Sequence, residues 1–159
     1  MIRVQEEDFD VGAEIVALTS GDYSVGGVAS FVGLVRDMAP VEGTDREIQT
    51  MTLEHYPGMT EKKLEEIEAE ANTRWPLVAS LIIHRYGTLA PGDRIVLVVC
   101  ASAHRQAAFE ACQFLMDWLK TDAPFWKLEA TDEGGSWVDA RESDDRAAAR
   151  WNQNEKAAE

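Results

Sequence analysis

Two cysteines, no apolar stretch of membrane-spanning length and a shortage of basic side chains are the first features of this 159-residue sequence. Cys100 and Cys112 fit neither a C-x-x-C pair nor any zinc-ligand spacing, so a structural zinc site is not expected, and the alternatives for the pair are one disulfide or two free thiols. Reduced, packed thiols are the expectation. The longest predominantly apolar run, Ile95 to Ala103, has nine residues, whereas a bilayer-spanning helix needs about 20. The opening MIRVQEEDFD holds four acids and no apolar h-region, and a cytoplasmic chain is expected. Lys and Arg total 15 against 29 Asp and Glu, a net charge of -14, which repels phosphate backbones and anionic lipid and excludes a nucleic-acid binder. There is also no Gly-rich phosphate loop and no G-x-S-x-G elbow.

What is present is a 45% apolar composition of single-domain length. Residues 1–138 read as one domain and 139–159 as an acidic, mobile tail or a loosely docked helix anchored by Trp151. Short strands are predicted at Ile2–Gln5, Val25–Arg36, Ile48–Tyr56, Phe125–Thr131 and Ser136–Val138. The β-branched runs Leu77–Tyr86 and Arg94–Ser102 are the expected sheet centre, joined by a turn over Gly87–Gly92. Helices are predicted at Val11–Leu18 behind an Asp10 cap, from Thr60 to about Trp75, and from Ala103 to Leu119. Strands and helices do not alternate strictly, so the expected class is α+β with a mostly antiparallel sheet and about three helices.

The charge is unevenly spread: residues 1–75 carry -10 and residues 128–159 carry -5, while residues 76–127 stand at +1. Cations kept in an acidic protein point to a small anionic ligand. His104 and Arg105 fall at a helix start, where the partial positive charge of the unsatisfied amides disfavours them unless an anion lies between; alternatively Ser102 caps the helix and both side chains face solvent. Lys120 prolongs the apolar stripe Phe109, Cys112, Met116, and Arg105 prolongs it at the other end. Lys127 follows the sharp turn at Pro124, and two converging, desolvated ammoniums would depress each other's pKa and leave one neutral amine near pH 7. The alternatives are a snorkelling Lys120 and a surface pair of Lys127 with Glu129. His55 and His84 have no ligand spacing to another His, Cys or paired carboxylate, and neither a metal nor a cofactor is expected.

Five stretches carry a resemblance: Phe31 to Arg36, Leu53 to Glu61, His84 to Gly87, Ser102 to Arg105, and Met116 to Lys120 running on through Ala123 to Lys127. In this order, over about residues 28–138, the sequence resembles the large, catalytic subunit of molybdopterin synthase. The resemblance implies an α/β-hammerhead fold, a homodimer, and a small ubiquitin-like sulfur-carrier subunit with a C-terminal glycine thiocarboxylate at each end. It implies that two sulfurs pass to cyclic pyranopterin monophosphate, with Lys120 and Lys127 catalytic and Arg36, His104 and Arg105 lining the substrate pocket, partly across the dimer interface. The segment Asp37 to Gly43 departs from the polar, Asn- and Gly-containing loop usual in that family. Two other readings of the same residues are a non-catalytic sensor of a small phosphorylated metabolite and a thiol sulfurtransferase using Cys112.

Overall fold

The computed structural model describes residues 1–36, 50–131, 134–138 and 142–153. The expected loop over 37–47 lies outside the described residues, as do 139–141 and 154–159 of the expected tail. The elements run β1 (Ile2–Gln5), α1 (Val11–Thr19), β2 (Gly27–Leu34), β3 (Thr50–His55), α2 (Met59–Arg74), β4 (Leu77–Arg85), β5 (Gly87–Leu89), β6 (Arg94–Ser102), α3 (Arg105–Thr121), β7 (Phe125–Thr131), β8 (Gly134–Val138) and α4 (Glu142–Gln153). The class is α+β: one four-stranded sheet in the order β1-β4-β6-β2 and a second in the order β5-β3-β7-β8, with β1–β4 as the parallel pair.

β4 and β6 are the centre of the first sheet, as their composition implies. Alternate residues of β6 face opposite ways. Val96, Val98 and Cys100 join Leu64, Ile67, Phe114 and Leu115 of α2 and α3 in the main core, whereas Leu97 and Val99 join Phe9 and the half-buried Val11 and Ile15 beneath α1. A strand buried on both faces needs the unbroken apolar run seen in the sequence. The second sheet buries Met51, Leu53 and Leu89 against Val35 and Ile95.

Asp10 caps α1 by accepting from the Ala13 N–H at 2.8 Å. Thr60 does not open α2. Gly58, in the left-handed region at φ 81°, occupies the N-cap position, and Glu61 accepts its N–H at 2.6 Å. The buried Thr60 hydroxyl instead accepts from the Tyr56 N–H at 3.1 Å and donates to the Pro124 carbonyl at 3.3 Å, tying the start of α2 to the turn before β7. The stretch after Tyr86 is also more than a turn: Gly87, at φ 88°, redirects the chain so that β5 pairs with β3 through Met51↔Leu89 and Leu53↔Gly87. A fourth helix, α4, is docked by buried Ala148 and Trp151, whose ring meets Trp75 and Phe114 edge-on at 5.6 and 5.5 Å. Among the described residues no helix is long and apolar enough to cross a membrane.

Candidate active site

The chain makes its close turn from β6 into α3 against the start of β2. Gly26 donates to the Ser102 carbonyl at 3.0 Å, and a Cβ on Gly26 would stand 2.2 Å from the Ala103 carbonyl oxygen. A Cβ on Gly27 would lie 3.6 Å from the Arg105 Cα. Only a residue without a side chain lets β2 pass this close to the helix start at Gly26. Gly26 therefore has a structural purpose that the brevity of the Gly26–Gly27 pair conceals in the sequence, whereas a Cβ at Gly27 would make only ordinary contact. From this crossing α3 runs back alongside β2, because β2 is antiparallel to β6 and α3 reverses the direction of β6.

A cavity of about 500 Å³ opens between the two elements. Ala29, Ser30 and Phe31 of β2 form one wall; Phe109, Cys112, Gln113, Met116, Asp117 and Lys120 of α3 form the other. The stripe read from helical spacing is thus a cavity wall, with one ammonium at its C-terminal end. Phe109 is 64% exposed and Phe31 41%, so the cleft displays aromatic surface that the core does not use. Asp117 is fixed from behind: it accepts from the Trp151 indole N–H at 2.8 Å and pairs with Arg150, so α4 braces this wall.

His104 and Arg105 are exposed at the opposite end of α3. His104 is the N-cap residue and makes no side-chain cap bond; the buried Ser102 hydroxyl accepts from the His104 N–H at 3.4 Å and donates to the Pro76 carbonyl at 2.9 Å. The first turn of α3 has no acidic side chain either, which leaves its amides and partial positive charge directed outward. At 1.5 Å per residue, Arg105 and Lys120 are about 22 Å apart along the helix, so one chain does not bring them together. Arg36 follows the buried Val35, whose N–H donates to the Asp93 carbonyl at 2.8 Å, and it lies beyond the Leu34 end of β2, the end toward which α3 carries Lys120. β2 stops at Leu34 rather than Arg36, after a register shift at Gly33/Leu34.

Lys127 is the third residue of β7 and pairs in register with Leu53, across the Asp122–Pro124 turn from Lys120. It is not among the residues lining the cavity. Its neighbourhood contains a feature that spacing does not reveal. His84, buried at the end of β4, stacks on Phe125 at 3.6 Å and 17°, and its Nδ1 lies 2.8 Å from the Arg85 carbonyl. Burial first, with smaller contributions from the neighbouring Lys127 and His55 and against the opposing hydrogen bond to the Arg85 carbonyl, lowers the His84 pKa to about 4, so the ring is neutral near pH 7. His55 meets Tyr86 at 4.4 Å and lies 3.6 Å from Glu61. Both histidines brace the base of β7.

The sequence model described as MoaE protein matches residues 4–122. The molybdopterin synthase catalytic subunit of Ralstonia nicotianae is 57% identical over 150 residues, 94% of this chain and 83% of that one. The chain belongs to the MoaE protein family. The corresponding subunit of Pseudomonas aeruginosa is also 57% identical, over 94% of this chain and 97% of its own length. The solved structure of a molybdopterin biosynthesis MoaE protein from Burkholderia ambifaria MC40-6 superposes with a TM-score of 0.81 at 51% identity, covering 96% of this chain and 97% of that one. The MoaE model ends before Lys127, but the curated MoaE relatives align over 150 residues, most of the chain.

Proposed function

We propose that this chain is the catalytic subunit of a molybdopterin synthase, which transfers two sulfurs from the thiocarboxylated C-terminus of a small carrier subunit to cyclic pyranopterin monophosphate and so forms the molybdopterin dithiolene. The supporting observation is the cleft between β2 and α3: open, walled by Phe31, Phe109 and Met116, and ended by Lys120. An extended, glycine-ended carrier tail is slender enough to enter such a cleft, and an ammonium at its end pairs with an anionic thiocarboxylate.

In this reading Lys120 acts at the thiocarboxylate, assisting proton transfer or attack, and Lys127 stabilises the oxyanion that develops at the same acyl carbon. Arg36, on the Lys120 side of the fold, contributes to holding the anionic pterin. His104 and Arg105 have the chemistry of a phosphate site, an imidazole and a guanidinium beside the amides of a helix start that has no side-chain cap from His104. They reach the lysines of one site only from a second copy of the chain, because about 22 Å of helix separates them from Lys120 within one copy. The working assembly is therefore a homodimer with a carrier at each end, and its place is the cytoplasm, where the two cysteines stay free thiols.

The test is reconstitution with a thiocarboxylated carrier and the pterin monophosphate. Lys120 is exposed, so Lys120→Ala leaves the fold intact while lowering dithiolene formation by ~10²–10⁴-fold, the usual contribution of a positioned acid–base group. Full turnover by that variant overturns the assignment. A sensor of phosphorylated metabolites would bind the pterin and yield no product with any carrier.

A further inference from the structure

His84 is a buried, titratable side chain that the sulfur-transfer chemistry leaves without a role, and it touches the strand that carries Lys127. On β7 the side chains of Phe125 and Lys127 point the same way. Their register partners, His55 and Leu53, place both on the inner face of the second sheet, the face that buries Met51 and Leu53. His84 enters from the first sheet and lies flat on Phe125, with ring centroids 3.6 Å apart and planes within 17° of parallel. Its Nδ1 is 2.8 Å from the Arg85 carbonyl oxygen, which only accepts, so Nδ1 carries the proton and the bond fixes the ring's orientation. Uncharged near pH 7, the ring meets Phe125 as flat aromatic surface and sets no second positive charge against Lys127.

Phe125 is where the chain enters β7 after the turn from α3, between Lys120 at the end of that helix and Lys127 in the strand. Two hydrogen bonds hold the backbone of the turn: the Phe125 N–H donates to the Ala123 carbonyl at 2.8 Å, and the Thr60 hydroxyl donates to the Pro124 carbonyl at 3.3 Å. The His84 stack holds the Phe125 ring. Lys127 follows about 7 Å further along the strand, so the spacing of the two ammoniums depends on where Phe125 is held. We infer that His84 is a positioning residue for Lys127: its ring fixes Phe125 at the start of β7 and thereby sets the distance between Lys127 and Lys120. In the sulfur-transfer reading, on which this inference rests, both lysines act at one acyl carbon, where a misplacement of about 1 Å costs up to ~10²-fold in rate.

The experiment measures turnover of the full-length chain with a thiocarboxylated carrier and the pterin monophosphate. His84→Leu and His84→Phe both lose the bond to the Arg85 carbonyl and share its stability cost, but only the phenylalanine keeps a flat ring on Phe125. His84→Leu lowers kcat by about 10–10²-fold and leaves the pterin KM within about 2-fold, because Lys127 acts at the reacting carbon and does not hold the pterin; His84→Phe restores most of kcat. Phe125→Leu removes the same stack with the Arg85 bond intact and lowers kcat to the same extent, so the result does not depend on whether His84→Leu folds. Equal losses of kcat in His84→Leu and His84→Phe, or a wild-type kcat in Phe125→Leu, overturn the positioning role. Full turnover by Lys127→Ala overturns the catalytic assignment of that lysine and this inference with it, whereas an inactive Lys127→Ala beside a fully active His84→Leu overturns the positioning role alone.

Discussion

Replacing Trp151 by alanine tests whether α4 is an integral part of the fold and a brace for the cavity. The side chain is 8% exposed, meets Trp75 and Phe114 edge-on, and gives its indole N–H to Asp117. Arg74 adds a bond to the Trp151 carbonyl at 3.2 Å while its guanidinium lies over the Phe114 ring. Truncating a buried tryptophan removes its transfer free energy and leaves a void, together worth about 3–5 kcal/mol. At ~2–4 °C per kcal/mol for a domain of this size, Tm falls by about 6–20 °C. Trp151→Phe keeps most ring contacts and loses the donor to a partly buried carboxylate, so it costs a smaller ~1–2 kcal/mol. Differential scanning calorimetry on the three proteins gives the order wild type, Phe, Ala. A loss below about 1 kcal/mol for Trp151→Ala would show that α4 adds nothing to the core and would refute the argument. Because Asp117 lines the cavity, the alanine variant also loosens one wall, and its substrate KM rises at temperatures where it is still folded.

Two further outcomes follow from the same structure. His84 is neutral when folded, with a pKa lowered to about 4, and takes up a proton near 6.5 when unfolded; the unfolded chain therefore binds more protons between those values, so stability falls as pH drops from about 6.5 to 4, by up to about 3 kcal/mol. Urea titrations across that window read the slope, and His84→Gln flattens it; an unchanged slope in the variant assigns the effect elsewhere. Gly26→Ala places a methyl 2.2 Å from the Ala103 carbonyl oxygen, so backbone must move, with a cost of ~1–3 kcal/mol and a displaced α3 start. A Gly26→Ala protein with wild-type Tm and wild-type pterin affinity would contradict the close approach.

Some of the site is legible in one dimension because it lies on one element. Phe109, Cys112, Met116 and Lys120 are consecutive turns of a single helix, so a 3.6-residue period places them on one face, and that face lines the cavity. The opposite wall comes from β2, a strand whose partner in sequence is far away, and Phe31 gives no local signal that it faces α3 rather than solvent. His84 is the clearest omission. Its meaning depends on Phe125, forty-one residues later and in the other sheet, and no spacing rule joins the two. The hydroxyls of Ser102, a candidate cap by residue type, and of Thr60, the expected helix start, each also donate to a distant carbonyl, of Pro76 and Pro124, because burial obliges them to find a partner and tertiary packing supplies one.

By itself the sequence determined the α+β class, the helices with their apolar faces, the doubly buried β4–β6 centre, the concentration of cations in the middle of the chain and the family resemblance. These properties rest on local periodicity and on which side chains leave water, and both are written residue by residue. Only the tertiary structure decided that there are two four-stranded sheets, that Gly87–Leu89 pairs with β3, that α4 braces Asp117, and that about 22 Å of helix keeps His104 and Arg105 away from Lys120 within one chain. Those outcomes depend on which distant surfaces meet, and packing selects among many pairings that local preference leaves nearly equal in energy.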